Sequence, residues 1–411
     1  MDVQTEAFNA LRAQKSLFAA FLEARSRFGG KKIAIVDVDD NELDYTSVTQ
    51  AAFALGSALK RITSNEKNVG VLLPTGAGAV ISLLALSAYG KTPCMLNFTA
   101  GENNLHSAIK IAELKTIVTA RKFVEMGGFE GLIESLSAKA DIIYLEDVKE
   151  ELDLIDKGRA GLGTIAPWLI RSKPHWNSPS VILFTSGTEG TPKGVALSHK
   201  NVVSNVLQIL QHVPDVLTPD DIIFNPLPTF HCFGLTAGAI LPLLGGMKVV
   251  FHPSPLQVKE IPKRISQTRS TILFATDTFL NQYARASGEG ELTCLRYAVC
   301  GAERVRDETR SLVEKNSLWK YLKVTAQQKP RPLLPSISLV IIIMVVLDAL
   351  YLGWASVLSL LKASHMPAEC ALKVRTSRQD ICYWISLEKF SHPKRGGMIQ
   401  ATSCRLMKKA L

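Results

Sequence analysis

From Lys31 onward, short apolar runs take turns with longer helical stretches. Ile33–Val38, Val69–Leu73, Cys94–Phe98, Thr116–Thr119, Ile142–Leu145 and Val181–Phe184 read as strands that are apolar on both faces. Between them, Ser47–Ile62, Ala77–Tyr89 and Leu105–Leu114 carry helical patterning, with Thr46 as a start signal for the first. An amphipathic helical pattern also covers Phe8–Phe28. A strand buried on both faces needs a layer of helix on each side, which predicts a mainly parallel sheet of α/β type. A second alternating stretch runs through Asn201–Val213, Ile222–Asn225, Lys248–Phe251, Ile272–Phe274 and Tyr297–Val299. Residues 153–178, with Pro167, Trp168, Pro174 and Trp176, read as a seam. The expected architecture is two packed α/β lobes, 1–170 and 171–316, followed by an aberrant tail, 317–411.

Charge separates the same regions. The chain carries 47 Lys and Arg against 37 Asp and Glu, a net charge of +10. Residues 319–411 hold 14 basic and 4 acidic residues, so residues 1–318 balance 33 against 33. A neutral body gives no reason to expect nucleic acid as a partner. Seven cysteines with no CxxC pair and no Cys/His ligand spacing argue against a disulfide scaffold or a structural metal site. The acidic start lacks a basic segment followed by an apolar one, so no secretory signal is expected and a cytoplasmic setting is.

The sharpest local signal is Leu183-Phe-Thr-Ser-Gly-Thr-Glu-Gly-Thr-Pro-Lys-Gly194, directly after a buried strand. Thr185, Ser186 and Thr188 supply hydroxyls, while Gly187, Gly190 and Gly194 free the backbone to turn its N–H groups toward an anion. Lys193 adds positive charge, and together these residues read as a polyphosphate loop. The loop is not a Walker A sequence, because Lys193 stands between Pro and Gly.

This string resembles the signature of the acyl-adenylate-forming, or AMP-binding, synthetases, and the resemblance extends over about residues 16–314. It implies ATP bound with its β,γ-phosphates on Thr185, Ser186, Gly187, Thr188, Gly190 and Lys193. Glu189 departs from the Thr or Ser common there and brings a negative charge beside the phosphates. Pro226-Leu-Pro-Thr-Phe-His-Cys-Phe-Gly-Leu235 resembles the segment lining the acyl tunnel, which implies His231, Phe233 and Gly234 at the reacting carboxylate. A core histidine with a satisfied hydrogen bond is the other reading of His231. Thr276-Asp-Thr-Phe279 resembles a pocket wall through Thr276 and Asp277, or else a purely structural turn. Val299-Cys-Gly-Ala-Glu-Arg304 resembles the turn on adenine, implying Gly301, Ala302 and Glu303, unless it is an ordinary strand–helix turn.

Four strings look most like the acyl-acyl carrier protein synthetase part of bifunctional 2-acylglycerophosphoethanolamine acyltransferases. They are Met95-Leu-Asn-Phe-Thr-Ala-Gly101, Phe230-His-Cys-Phe-Gly-Leu-Thr236, Thr276-Asp-Thr-Phe-Leu280 and Gly301-Ala-Glu-Arg-Val305. The resemblance implies a fatty acid activated as acyl-AMP and passed to the thiol of acyl carrier protein or coenzyme A. A His-x4-Asp pair for onward acyl transfer is absent from the sequence.

Beyond Val305 the family pattern requires Tyr-Gly-x-Thr-Glu, whose Glu holds Mg²⁺; Tyr-x-Thr-Gly-Asp, whose Asp takes the ribose hydroxyls; and a later catalytic Lys. The sequence through Leu411 contains neither motif, and nothing that resembles the segment bearing that Lys. The codons of Lys323-Val-Thr-Ala-Gln-Gln-Lys329, read from a shifted base, permit Gly-Tyr-Gly-Ala-Thr-Glu. The same shift over Met344–Trp354 permits Gly-Ser-Val-Gly-Arg-Leu and, one residue further on, Pro-Gly-Met. Over Arg395–Ser403 it permits Gly-Trp-Tyr-Asp-Thr-Gly-Asp-Ile. Glu314-Lys315-Asn316 implies an A-rich run where a base is easily lost, so an out-of-frame tail from about residue 316 is expected. The competing expectation is a membrane anchor. Residues 332–361 carry Asp348 as their sole charge, and residues 336–361 are apolar enough to span a bilayer, with a basic flank for its inner face. An impaired ligase, a catalytically dead nucleotide- or acyl-binding module, and a membrane-tethered remnant are the three functional expectations.

Overall fold

The computed structural model describes residues 10–185, 192–301 and 305–316, with three short segments at 369–376, 379–386 and 407–409. Twelve strands of the body form two six-stranded sheets. One runs in the order β12-β11-β9-β10-β1-β2, with β1 Ile33–Val36, β2 Glu42–Asp44, β9 Ile222–Asn225, β10 Lys248–Phe251, β11 Ile272–Ala275 and β12 Tyr297–Cys300. The other runs β6-β5-β3-β4-β7-β8, with β3 Asn68–Val71, β4 Thr92–Met95, β5 Thr116–Thr119, β6 Asp141–Tyr144, β7 Pro179–Thr185 and β8 Lys193–Ser198. Every pairing is parallel except those of β1 with β2 and β7 with β8.

The strands form where both faces are apolar: β4, β5 and β11 are buried along their whole length. Helix Ala77–Ala88 is apolar on every side, so it lies in the interior rather than on a surface. One continuous buried cluster runs from Ile35, Val249 and Phe251 of the first sheet to Val71, Val118 and Leu183 of the second. Phe18 and Phe53 meet edge to face at 5.1 Å within it, and the buried Tyr45 hydroxyl donates to the Leu243 carbonyl at 2.7 Å.

Four sequence expectations need adjusting. The sheets do not divide the chain at 170/171: β1 and β2 join strands from residues 222–300, whereas β7 and β8 join strands from residues 68–144. Linear order hides this exchange because strand pairing is decided by which edge each apolar run can cover. Helix Tyr45–Ile62 starts on Asp44, whose carboxylate accepts from the Ser47 N–H at 2.6 Å, rather than on Thr46. Of the pattern drawn over Phe8–Phe28, the described residues form a 3-10 turn at Ala10–Ala13 and a separate helix Leu17–Phe28 capped by Ser16, while Phe8 lies outside them. In the tail, β13 Glu369–Thr376 and β14 Gln379–Ser386 pair antiparallel along eight residues, with β15 Met407–Lys409 beside β14, where no regular alternation was expected. The apolar span at 336–361 lies outside the described residues.

Candidate functional site

Parallel strands aim their carboxyl ends the same way, and ligands of open α/β sheets bind in the crevice beyond those ends. The sequence-derived residues gather there. Thr185 ends β7, and its register partner Lys193 opens β8, so the two stand opposite each other at the mouth of a hairpin. Thr185 is buried and Lys193 exposed, which gives a hydroxyl fixed by the sheet beside an ammonium free to reach outward. Ser186, Gly187, Thr188 and Gly190 lie outside the described residues, as does Glu189. Gly194 pairs with Phe184, and a Cβ there would stand 3.1 Å from Ile111 Cγ2.

His231, Phe233 and Gly234 follow β9. Its last residue, Asn225, is fully buried: the side-chain oxygen accepts from the Leu227 N–H at 3.0 Å, and the amide donates to the Gly234 carbonyl at 3.1 Å. This clamp folds Pro226–Phe230 into a tight crossing, and the His231 N–H donates to the Pro228 carbonyl at 3.1 Å. Only glycine fits at 234, because a Cβ there would lie 2.2 Å from the Pro228 carbonyl oxygen. From Phe233 to Ile240 the chain is a π-helix, a widened turn that recurs at functional sites. His231 is half-buried, with its Nδ1 3.9 Å from Cys232 Sγ.

Thr75, after β3, ties this segment to the other sheet. Its hydroxyl donates to the Leu227 carbonyl at 2.9 Å and accepts from the Thr229 N–H at 3.2 Å. Phe98, after β4, meets Phe230 edge to face at 5.1 Å. The hydroxyls of Thr229 and Thr236, either side of His231, are buried and meet no partner within the described structure.

Gly301, after β12, is buried against the same segment: a Cβ would lie 2.9 Å from the Phe233 ring, which also meets Phe274 at 5.6 Å. The close approach that Gly301 permits is thus that of Phe233. Ala302 and Glu303 lie outside the described residues. Thr276 and Asp277 serve the fold. Thr276 caps helix Asp277–Ala286 by accepting from the Phe279 N–H at 3.3 Å. Asp277, buried, accepts from the Arg306 N–H at 3.0 Å and from its guanidinium at 2.5 Å.

Sequence reasoning missed Asn225, Thr75, Thr229 and His252. A polar residue closing the apolar run Ile222-Ile-Phe-Asn before Pro-Leu-Pro was the available signal for Asn225. His252, after β10, donates its backbone N–H to the Asn225 carbonyl at 3.1 Å; burial, then the Arg264 cation, pushes its imidazole down to about 4. Among the described residues no three His, Cys, Asp or Glu side chains cluster as a metal site, and no helix is long and apolar enough to cross a membrane.

Two mostly parallel sheets carry the β7–β8 hairpin and the glycine-locked crossing at their carboxyl ends, where open α/β sheets bind ligands. Residues 21–317 match the family described as AMP-binding enzyme, and the chain belongs to that family. It is 25% identical over 301 residues to long-chain-fatty-acid–CoA ligase 5 of Rattus norvegicus, covering 68% of this chain and 43% of the relative. It is 25% identical over 299 residues to long-chain-fatty-acid–CoA ligase 1 of Homo sapiens, covering 68% and 42%. The chain therefore spans less than half the length of these curated relatives. Its fold is similar to the Klebsiella oxytoca NpsA N-terminal subdomain in complex with 3-hydroxyanthranilyl-AMSN. The TM-score is 0.60 at 16% identity, over 75% of this chain and 72% of that one.

Proposed function

We propose that the body of this chain is built to activate a fatty acid with ATP as acyl-AMP, for transfer to a thiol. The observation that supports this reading is that Thr185 and Lys193 close one sheet's carboxyl edge while His231, Phe233 and Gly301 follow the carboxyl ends of the other's strands, with Thr75 bonding the Leu227–Thr229 segment. In this reading Thr185, Ser186, Gly187, Thr188, Gly190 and Lys193 hold the β,γ-phosphates. His231, Phe233 and Gly234 border the carboxylate, and Gly301, Ala302 and Glu303 border adenine. Thr276 and Asp277 hold the wall behind Phe279. The carboxylate oxygen attacks the α-phosphorus and pyrophosphate leaves; the thiol sulfur then attacks the acyl carbon and AMP leaves. Positioning and neutralisation of phosphate charge are what the residues supply. Mg²⁺ would share that neutralisation, but the Glu that holds it in the family pattern is absent from the translated chain, so it has no assigned ligand here.

The names of the curated relatives favour coenzyme A as the thiol, while the four strings quoted above favour acyl carrier protein. Presenting each thiol to a preformed acyl-AMP in a reading-frame-restored chain discriminates them. We further propose that residues beyond about 316 are read out of frame; the family match ends at residue 317, beside the A-rich run. The DNA decides this: codons that cannot spell the three shifted strings sink the idea. Lacking the ribose-binding Asp and the catalytic Lys, the 411-residue chain is expected to show little ATP–pyrophosphate exchange with palmitate, and the restored chain robust exchange. Robust exchange by the 411-residue chain overturns the impairment. No exchange by the restored chain with fatty acids of any length overturns the activity.

A further inference from the structure

Among the described residues eleven large hydrophobic side chains are exposed, and six of them fall between 154 and 169: Leu154, Ile155, Leu162, Ile165, Trp168 and Leu169. They are between 44% and 86% exposed. Scattered exposed hydrophobics are ordinary, but a concentration of this kind on one element marks an interaction surface.

The element is helix Leu154–Ile165 with the turn Pro167–Ile170 that follows it. Its inner face is already committed. Asp156, Ala160 and Gly163 are buried, Gly163 lies against the Phe53 ring, and Arg61 reaches Asp156 at 3.0 Å. At 100° per residue, Leu154, Leu162 and Ile165 share the outward stripe, with Ile155 at its edge and Lys157 and Arg159 on its two flanks. From Lys157 to Thr188 the chain carries Lys157, Arg159, Arg171 and Lys173 and no acidic residue. Glu150, Glu151 and Asp153 stand before the stripe and Asp156 on the buried side of the helix, and Arg61 holds both Asp153 at 2.8 Å and Asp156 at 3.0 Å. An apolar stripe with leucines and a tryptophan, bordered by cations, is the pattern of a helix that lies in the plane of a bilayer interface.

We infer that the 154–173 face docks on an anionic lipid surface. The apolar stripe enters the headgroup boundary, and Lys157, Arg159, Arg171 and Lys173 meet lipid phosphates. Charge complementarity selects this occupant over a second copy of the chain. The Ser172 N–H donates to the carbonyl of Ala88 at 2.8 Å, at the end of the helix that leads back to the start of β4. The basic end of the surface therefore sits at the amino ends of the strands, away from the carboxyl ends where Thr185, His231 and Gly301 gather. The inference is independent of the reaction proposed above.

The test is co-sedimentation of the full chain with phosphatidylcholine vesicles, with and without phosphatidylglycerol, beside two double variants. Ile165→Glu/Trp168→Glu removes the apolar contact, and Lys157→Glu/Lys173→Glu reverses the charge. Both pairs are exposed, so an unchanged melting temperature confirms the fold. The first pair is expected to lower partitioning about tenfold on both vesicle types. The second is expected to do so about tenfold on phosphatidylglycerol vesicles only. Binding of either pair to those vesicles at the wild-type level overturns the proposal. Both pairs leave residues 317–411 untouched, so binding carried by the tail persists and counts against this surface. A first-pair variant that changes the sedimentation coefficient from dimer to monomer without changing vesicle binding also overturns it, in favour of a second copy.

Discussion

The two sheets contribute to the crevice in different ways. The first sheet's residues are built into the interior: Asn225 clamps Gly234, Gly301 abuts Phe233, and Asp277 holds Arg306. The second sheet offers an edge hairpin whose Lys193 is exposed and opposite a fixed hydroxyl. One side is thus a shaped wall whose residues also hold the fold together. The other side presents Lys193, exposed at the edge of the sheet. Substitutions on the first side should cost stability, and substitutions on the second should cost ligand affinity alone.

The largest effect tests both sides at once. His199 and His252 are each held at about 4, chiefly by burial, against 6.5 for an ordinary imidazole. His199 Nδ1 accepts from the Leu17 N–H at 3.1 Å and so is unprotonated. The unfolded chain takes up protons that the folded chain refuses, so stability falls as pH drops from about 6.5 toward 4, by several kcal/mol in total. Urea midpoints measured across that range should fall steadily, and His252→Gln should flatten the first sheet's share of the slope.

Next, Gly234→Ala drives a Cβ to 2.2 Å from a backbone oxygen that cannot swing aside. It should destabilise by about 3 kcal/mol in chemical denaturation. Asp277→Ala removes the buried carboxylate that accepts from the Arg306 N–H and guanidinium and should cost about 2 kcal/mol. The smallest effect is the sharpest contrast: Lys193→Ala should leave stability within about 0.5 kcal/mol while abolishing any ATP-induced rise in melting temperature. A Lys193→Ala chain that melts well below the parent would erase the distinction between wall and loop.

Much of the strand inventory was legible because parallel strands are apolar on both faces, which local sequence records. Ile222–Asn225 and Lys248–Phe251 match the observed strands to the residue. β2 Glu42–Asp44 and β8 Lys193–Ser198 were not legible, because each is only partly buried and forms by pairing with a neighbour. The β7–β8 hairpin position of Thr185 and Lys193 shows in the pairing alone, while the loop between them was read from its chemistry: glycines, hydroxyls and a lysine contiguous enough to wrap one anion. Asn225 and Thr75 were not, since each acts on partners that the sequence does not place beside it.

By itself, then, the sequence determined the kind of layers, the location of the charge excess in residues 319–411 and the residue near which the family pattern stops. Only the tertiary structure decided that Ile33–Asp44 joins the sheet of residues 222–300, that Asp277 serves Arg306, and that Gly301 makes room for Phe233. The reason is physical. Periodicity and local chemistry are properties of neighbours along the chain, whereas edge selection and clamping depend on distances that exist only after both sheets have closed on a common core.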